Sequence, residues 1–156
     1  NFGVYYFWWA QPLVNLPFWN LSVYNSVGSV LQKHFLRGKK VFAADRVAIA
    51  ASKQSIKYGF DLKINEPARQ FFYMPLIHSE NLYDQKKCIR QILEKLPSSG
   101  SNLLKHAQGH RELIRSFGRF PSRNSQLDRS NTLSEQEYID KGGYEALLSK
   151  PNSFVA

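Results

Sequence analysis

A chain of 156 residues, 43% hydrophobic and 14% aromatic, is one domain's worth of sequence with enough apolar surface for a core, which excludes a disordered chain. Its 21 basic and 12 acidic residues leave a formal net charge of +9, which favours anionic small molecules and polyanions as partners and leaves the fold open. The one cysteine, Cys88, excludes an intrachain disulfide. Beside Ile89 in a helical pattern, it reads as a buried or half-buried thiol of a reducing compartment.

Residues 1–32 contain no Lys, Arg, Asp or Glu and hold all three tryptophans. Gln11, Pro12, Asn15, Pro17 and Asn20 interrupt the stretch well short of the ~18–20 continuous apolar residues of a membrane span. No basic leader precedes the apolar run, so a secretory signal is not expected. Asn20-Leu21-Ser22 has the form of a glycosylation sequon, which matters only in a secreted chain. The expectation is a cytoplasmic protein with no membrane span, whose aromatic start offers a surface for homo-oligomer formation.

Past Gly28, Val30, Leu31, His34 and Phe35 space as one side of a helix that stops at Gly38. The next helix takes Asp45 as its N-cap, carries a stripe of Ala48, Ile49, Ser52, Ile56 and Phe60, and ends at Gly59. Asn65 is expected to cap the run 66–80, with Glu66 and Pro67 in its first turn and a break near Tyr73 and Met74 forced by Pro75. A helix capped by Ser79 or Glu80 follows, with Leu82, Ile89, Leu93 and Leu96 as its apolar side, and Pro97 closes it.

Leu103, Ala107, His110, Ile114 and Phe117 then recur at steps of three and four until Gly118 and Pro121 stop the pattern. Thr132 and Glu135 have capping-box spacing, and Gly142-Gly143 divides whatever helix follows. No period-two run or hairpin turn appears. The fold class is therefore all-α, an array of antiparallel helix pairs with short links. The organisation divides into an aromatic N-terminal segment, 1–34, and a helical domain, 35–156.

Two blocks carry a resemblance. "FFYMPLIHSENLYDQ" (71–85) and "HRELIRSFGRFPSRN" (110–124) closely resemble the hallmark segments of a bacterial family, domain of unknown function 924. "FLRGKKVFAAD" (35–45) resembles a degraded version of an earlier block, and the likeness runs over roughly residues 35–140. It implies a tetratricopeptide-like all-helical fold and no established enzymatic activity. Members carry Asp-Gln-Phe-Pro-Arg-Asn before the "RG" segment. This chain reads "GSVLQKHFLRG" there, with Lys33 and His34 near the expected Pro and Arg, so part of that block is absent.

The residues with chemistry gather in the two blocks. Glu80 and Asp84 are one helical turn apart, so their carboxylates share a face, and His78 precedes them. His110 falls on the apolar stripe of its helix and needs a partner for its ring. Glu80 or Asp84 would serve, making either a structural pair between helices or a general base with its orienting acid. His78, Glu80 and Asp84 with His106 or His110 match no named zinc spacing, so neither a metal nor another cofactor is expected.

Arg115, Arg119, Arg123 and Asn124 are the candidate anion-binding set, since a guanidinium fork suits carboxylate or phosphate. The same arginines equally complement a helix C-terminus, with Phe117 and Phe120 anchoring the turn. A second basic region, from Lys33 to Lys57, raises nucleic acid as a partner, but no recognition motif accompanies it and the reading is disfavoured. The functional expectation is a helical domain that binds a ligand or a protein. The alternatives are an enzyme acting on a small phosphate or carboxylate substrate, and weak non-specific nucleic-acid binding.

Overall fold

The computed structural model describes residues 45–149 together with Phe42. The expected helix before Gly38, the aromatic segment 1–34 and its role in oligomer formation lie outside the described residues. Among those described, six α-helices follow in order: α1 Asp45–Lys57, α2 Met74–Ile77, α3 Leu82–Lys95, α4 Ser101–Phe117, α5 Leu133–Asp140 and α6 Gly143–Ser149. Short 3₁₀ turns at Asp61–Lys63, Ala68–Phe72, Pro121–Arg123 and Ser125–Leu127 fill the links. The all-α class is as expected.

The break forced by Pro75 falls at Tyr73, between the 3₁₀ turn and α2. This leaves α2 as one short turn, "MPLI", which packs against α1, α3 and α4 at once. Its Leu76 and Ile77 join Phe72, Tyr73, Cys88, Ile92, Leu96 and Ala107 in the larger core. The long helices α3 and α4 pack most extensively of all pairs and are joined by residues 96–100, a corner short enough to make them antiparallel neighbours. Ile114 and Leu113 of α4 carry a second, smaller core, which Phe120, Leu82, Tyr138, Tyr144 and Leu147 complete. One helix therefore serves both cores and ties them together.

Three local expectations are corrected. Asn65 does not cap the 3₁₀ turn, which begins after Pro67. Glu66 instead accepts hydrogen bonds from Ser99 Oγ (2.7 Å) and the Ser98 and Ser99 amides, fastening this turn to the α3–α4 corner. Asn81, not Ser79 or Glu80, caps α3, its Oδ1 accepting from the Tyr83 and Asp84 amides at 2.8 and 3.3 Å. Leu93 is 59% exposed, because the buried face of α3 runs through Gln85, Cys88, Ile89 and Ile92, which turns residue 93 outward.

The stops are as read from the sequence. Gly118 ends α4 in the left-handed region (φ 70°), where a side chain is strained. The Thr132–Glu135 capping box forms in full. Gly109 has a role that periodicity does not reveal. A Cβ there would lie 3.1 Å from Leu148 and 3.2 Å from Tyr144, so its bare backbone is what lets α6 approach α4.

Candidate functional site

The segment between α2 and α3 faces the end of α4 and the loop after it, as the shared blocks suggested. His78 closes α2, and its carbonyl accepts from Arg123 Nη2 at 3.0 Å. His110 comes from α4 with Nδ1 3.2 Å from the Ile77 carbonyl oxygen. The two imidazole centroids are 5.9 Å apart. His110 also packs edge-on to Phe120 and against Tyr144, at 5.1 and 4.8 Å between centroids. A satisfied, half-buried histidine in an aromatic nest accounts for its position on the apolar stripe.

The two acids have other partners. Both Glu80 oxygens are clasped by Arg129, at 2.9 Å for Nη1 and 2.9 Å for Nη2, and the Phe120 amide donates to Oε1 at 2.9 Å. Those bonds hold the Glu80 carboxyl below the ordinary carboxylate range against the opposing cost of its burial. Asp84 is buried between Ser79 Oγ (2.8 Å) and Lys53 Nζ of α1 (2.7 Å). Glu80 therefore joins α2–α3 to the loop after α4, while Asp84 joins it to α1.

The four anion-site candidates are also engaged from within. Arg115 pairs with Glu112 at 2.7 Å on the surface of α4. Arg119 makes a two-pronged contact to Glu135 (2.6 and 2.8 Å) and a bond to the Ser130 carbonyl (2.9 Å). With the Thr132 cap, that contact holds the Glu135 carboxyl down to about 2. Arg123 lies in the interior, stacked 4.6 Å from both the Phe42 and the Phe120 ring centres and 3.3 Å from Asp45. Burial pushes its guanidinium below the ordinary arginine range. Asn124 is buried, donating Nδ2 to Asn131 Oδ1 at 2.8 Å, while its carbonyl gathers the Leu127 and Arg129 amides.

Among the described residues, no group of three or more His, Cys, Asp or Glu side chains is arranged to hold a metal ion. No described helix is long and apolar enough to cross a membrane. Cys88 is fully buried, and its thiol is pushed up by the loss of water around it.

Two features escaped the sequence. Arg129 lies in a loop with no periodicity, and although Glu135 was read as the acid of a capping box, only the turn that ends α4 brings Arg129 to Glu80 and Glu135 to Arg119. An open groove of about 300 Å³ lies beside this network, where Phe117 of α4, Tyr138 and Glu137 of α5, Lys141, and Ala146 and Leu147 of α6 meet. Phe117 and Tyr138 stack there at 5.2 Å. The sequence signal was the Gly142-Gly143 break, which folds α6 back on α5.

The fold recurs in a solved structure of a protein of unknown function, ATU0120, from Agrobacterium tumefaciens. The two superpose with a TM-score of 0.67 at 28% sequence identity, over 90% of this chain and 80% of that one. No curated protein matches the chain. Residues 30–143 match the model of a family described as bacterial protein of unknown function, DUF924. The chain belongs to the DUF924 family.

Proposed function

We propose that this protein is a cytoplasmic, tetratricopeptide-like array of helix pairs whose function is to hold a protein partner. The groove between α4, α5 and α6 is the observation that carries this reading. Its volume of about 300 Å³ accommodates one large apolar side chain, and Phe117, Tyr138, Ala146 and Leu147 supply the matching walls. Lys141 and Glu137, paired at 2.6 Å on its rim, offer one charge of each sign to the flanking residues of a bound segment. The antiparallel α3–α4 pair and the α5–α6 pair support the comparison with tetratricopeptide proteins, whose helix pairs present such grooves.

The test is a titration of the full chain with N-acetyl-leucinamide, the isolated apolar side chain, followed by backbone amide chemical shifts. Shift changes confined to Phe117, Tyr138, Ala146 and Leu147, and lost in Ala146→Phe, are the expected result. An enzyme for a small phosphate or carboxylate substrate is the second reading, with His110 as base and Arg115, Arg119, Arg123 and Asn124 as the anion clamp. It has less support, because Glu80 and Asp84 are held by Arg129 and Lys53 and three of the clamp residues hold carboxylates of the protein itself. Shift changes at His78, His110 and Arg123 on adding inorganic phosphate, with none in the groove, would favour that second reading instead.

A further inference from the structure

The described surface holds its cations in two ways. Arg111, Arg115, Arg119, Arg123 and Arg129 each reach a carboxylate. Lys86, Lys87 and Arg90 of α3 make no ion pair among the described residues. They follow Tyr83 by three, four and seven positions, which sets all four on one face of the helix. Tyr83 is 69% exposed, and Lys86 and Arg90 are exposed beside it. Like charges one turn apart repel. The one acid on this exposed face, Glu94, lies a turn beyond Arg90 and makes no ion pair with it among the described residues, so the face stays net positive.

The face continues onto α1. Lys53 reaches across to Asp84, the neighbour of Tyr83, while keeping 41% of its side chain exposed. Lys57 is one turn further on the same side of α1, and its ammonium lies 5.5 Å from the ring centre of Tyr58, itself 62% exposed. Lys53 of α1 thus borders the Tyr83 face of α3, and Lys57 with the exposed Tyr58 follows one turn along α1.

We infer that this surface binds single-stranded nucleic acid without sequence preference. Lys86 and Arg90, about one helical turn (~5.4 Å) apart, take successive phosphate oxygens with Lys87 beside them, and Tyr83 stacks on a base. Stacking of this kind tolerates any sequence, because every base presents a π-face. A membrane surface fits the same charge less well. Embedding needs an apolar band along the helix, whereas Arg90, Lys87 and Glu94 occupy the middle of this face and Leu93 lies at its edge. Charge along the sequence pointed to residues 33–57, whose Lys53 and Lys57 border this surface, and to the arginine loop. The pairing of those arginines with carboxylates leaves α3 with the three unpaired cations that lie within one turn of each other.

The experiment is fluorescence anisotropy of the full chain with a labelled oligothymidylate of about 16 nucleotides, over a salt series from about 50 to 200 mM. The double variant Lys86→Glu/Arg90→Glu is compared with Lys63→Glu/Lys105→Glu, which changes net charge equally at two exposed lysines that make no ion pair among the described residues, one after α1 and one on α4. The expected result is at least a tenfold loss of affinity in the first pair. Its salt slope should fall by about 1.4, or about 0.7 for each single-strand phosphate contact removed. The second pair should lose less than about threefold, since only long-range charge has changed. Tyr83→Ala should lose about fivefold through stacking alone. Circular dichroism of each variant verifies that it is folded. Equal losses in the two double variants would overturn the inference, leaving net charge as the whole cause. Absence of binding at the lowest salt would also overturn it, as would binding only to vesicles of anionic phospholipid.

Discussion

The loop that follows α4 and the outer face of α3 are both rich in cations, and they use them oppositely. In the loop, arginine is a building material. Arg119 holds the buried Glu135 that caps α5, Arg129 clasps Glu80 beside α3, and Arg123 lies between two aromatic rings with Asp45 at its end. Each joins segments far apart in the chain. On α3, Lys86, Lys87 and Arg90 join nothing among the described residues. The difference teaches that basic residues in a sequence are of two kinds. Where the chain returns to itself, an arginine meets a carboxylate and becomes part of the interior. Where it does not, the charge remains available to a partner.

The largest effect that tests this contrast is expected from Arg123→Ala. Removing a buried guanidinium that pairs with Asp45 should lower unfolding free energy by about 3 kcal/mol, read from urea denaturation. Glu80→Gln should follow at about 2 kcal/mol, since it discharges the two-pronged Arg129 contact while leaving the shape intact. A melting temperature unchanged in both variants would mean that the loop arginines are not structural after all.

A third expectation concerns acid. The Glu135 carboxyl is held down to about 2 in the fold, against an ordinary value of ~4.3 in an unfolded chain. The unfolded chain therefore takes up that proton more readily. The stability Glu135 contributes is fully present above about pH 4.5 and is lost as pH falls toward 2. In Glu135→Gln the acid limb of a stability-against-pH curve should be shallower, and an unchanged limb would assign acid denaturation to other carboxyls. The smallest effects belong to the other region. Lys86→Ala and Arg90→Ala should each alter unfolding free energy by no more than about 0.5 kcal/mol. A loss comparable with that of Arg123→Ala would erase the distinction between the two regions.

The elements were legible in the letters because their causes are local. Periodicity located α1, α3 and α4, Pro75 broke the run at Tyr73, Gly118 stopped α4, and Thr132 with Glu135 capped α5. Each of these is decided within a few residues by backbone geometry or a single hydrogen bond. The two family blocks fold together where the α2–α3 segment meets the end of α4 and the loop after it. Within that meeting, pairing was not legible. Glu80 was as suitable for His110 as for Arg129 on grounds of chemistry, and Arg119 suited a ligand's carboxylate as well as that of Glu135. Choosing between them depends on which groups the folded chain brings within hydrogen-bonding distance.

By itself the sequence determined an all-helical chain, the ends of most of its helices, and the family to which it belongs. Tertiary structure alone decided that Ile77 provides the carbonyl beside His110, and that Glu80 and Asp84 fasten the α2–α3 segment to different neighbours. It alone closed α6 onto α4 at Gly109, formed the groove, and separated paired cations from unpaired ones. The physical reason is range. Helix propensity and capping act over one turn, whereas an ion pair forms between whatever partners packing brings together, and α4, shared by two cores, brings residues 80 and 129 to the same place.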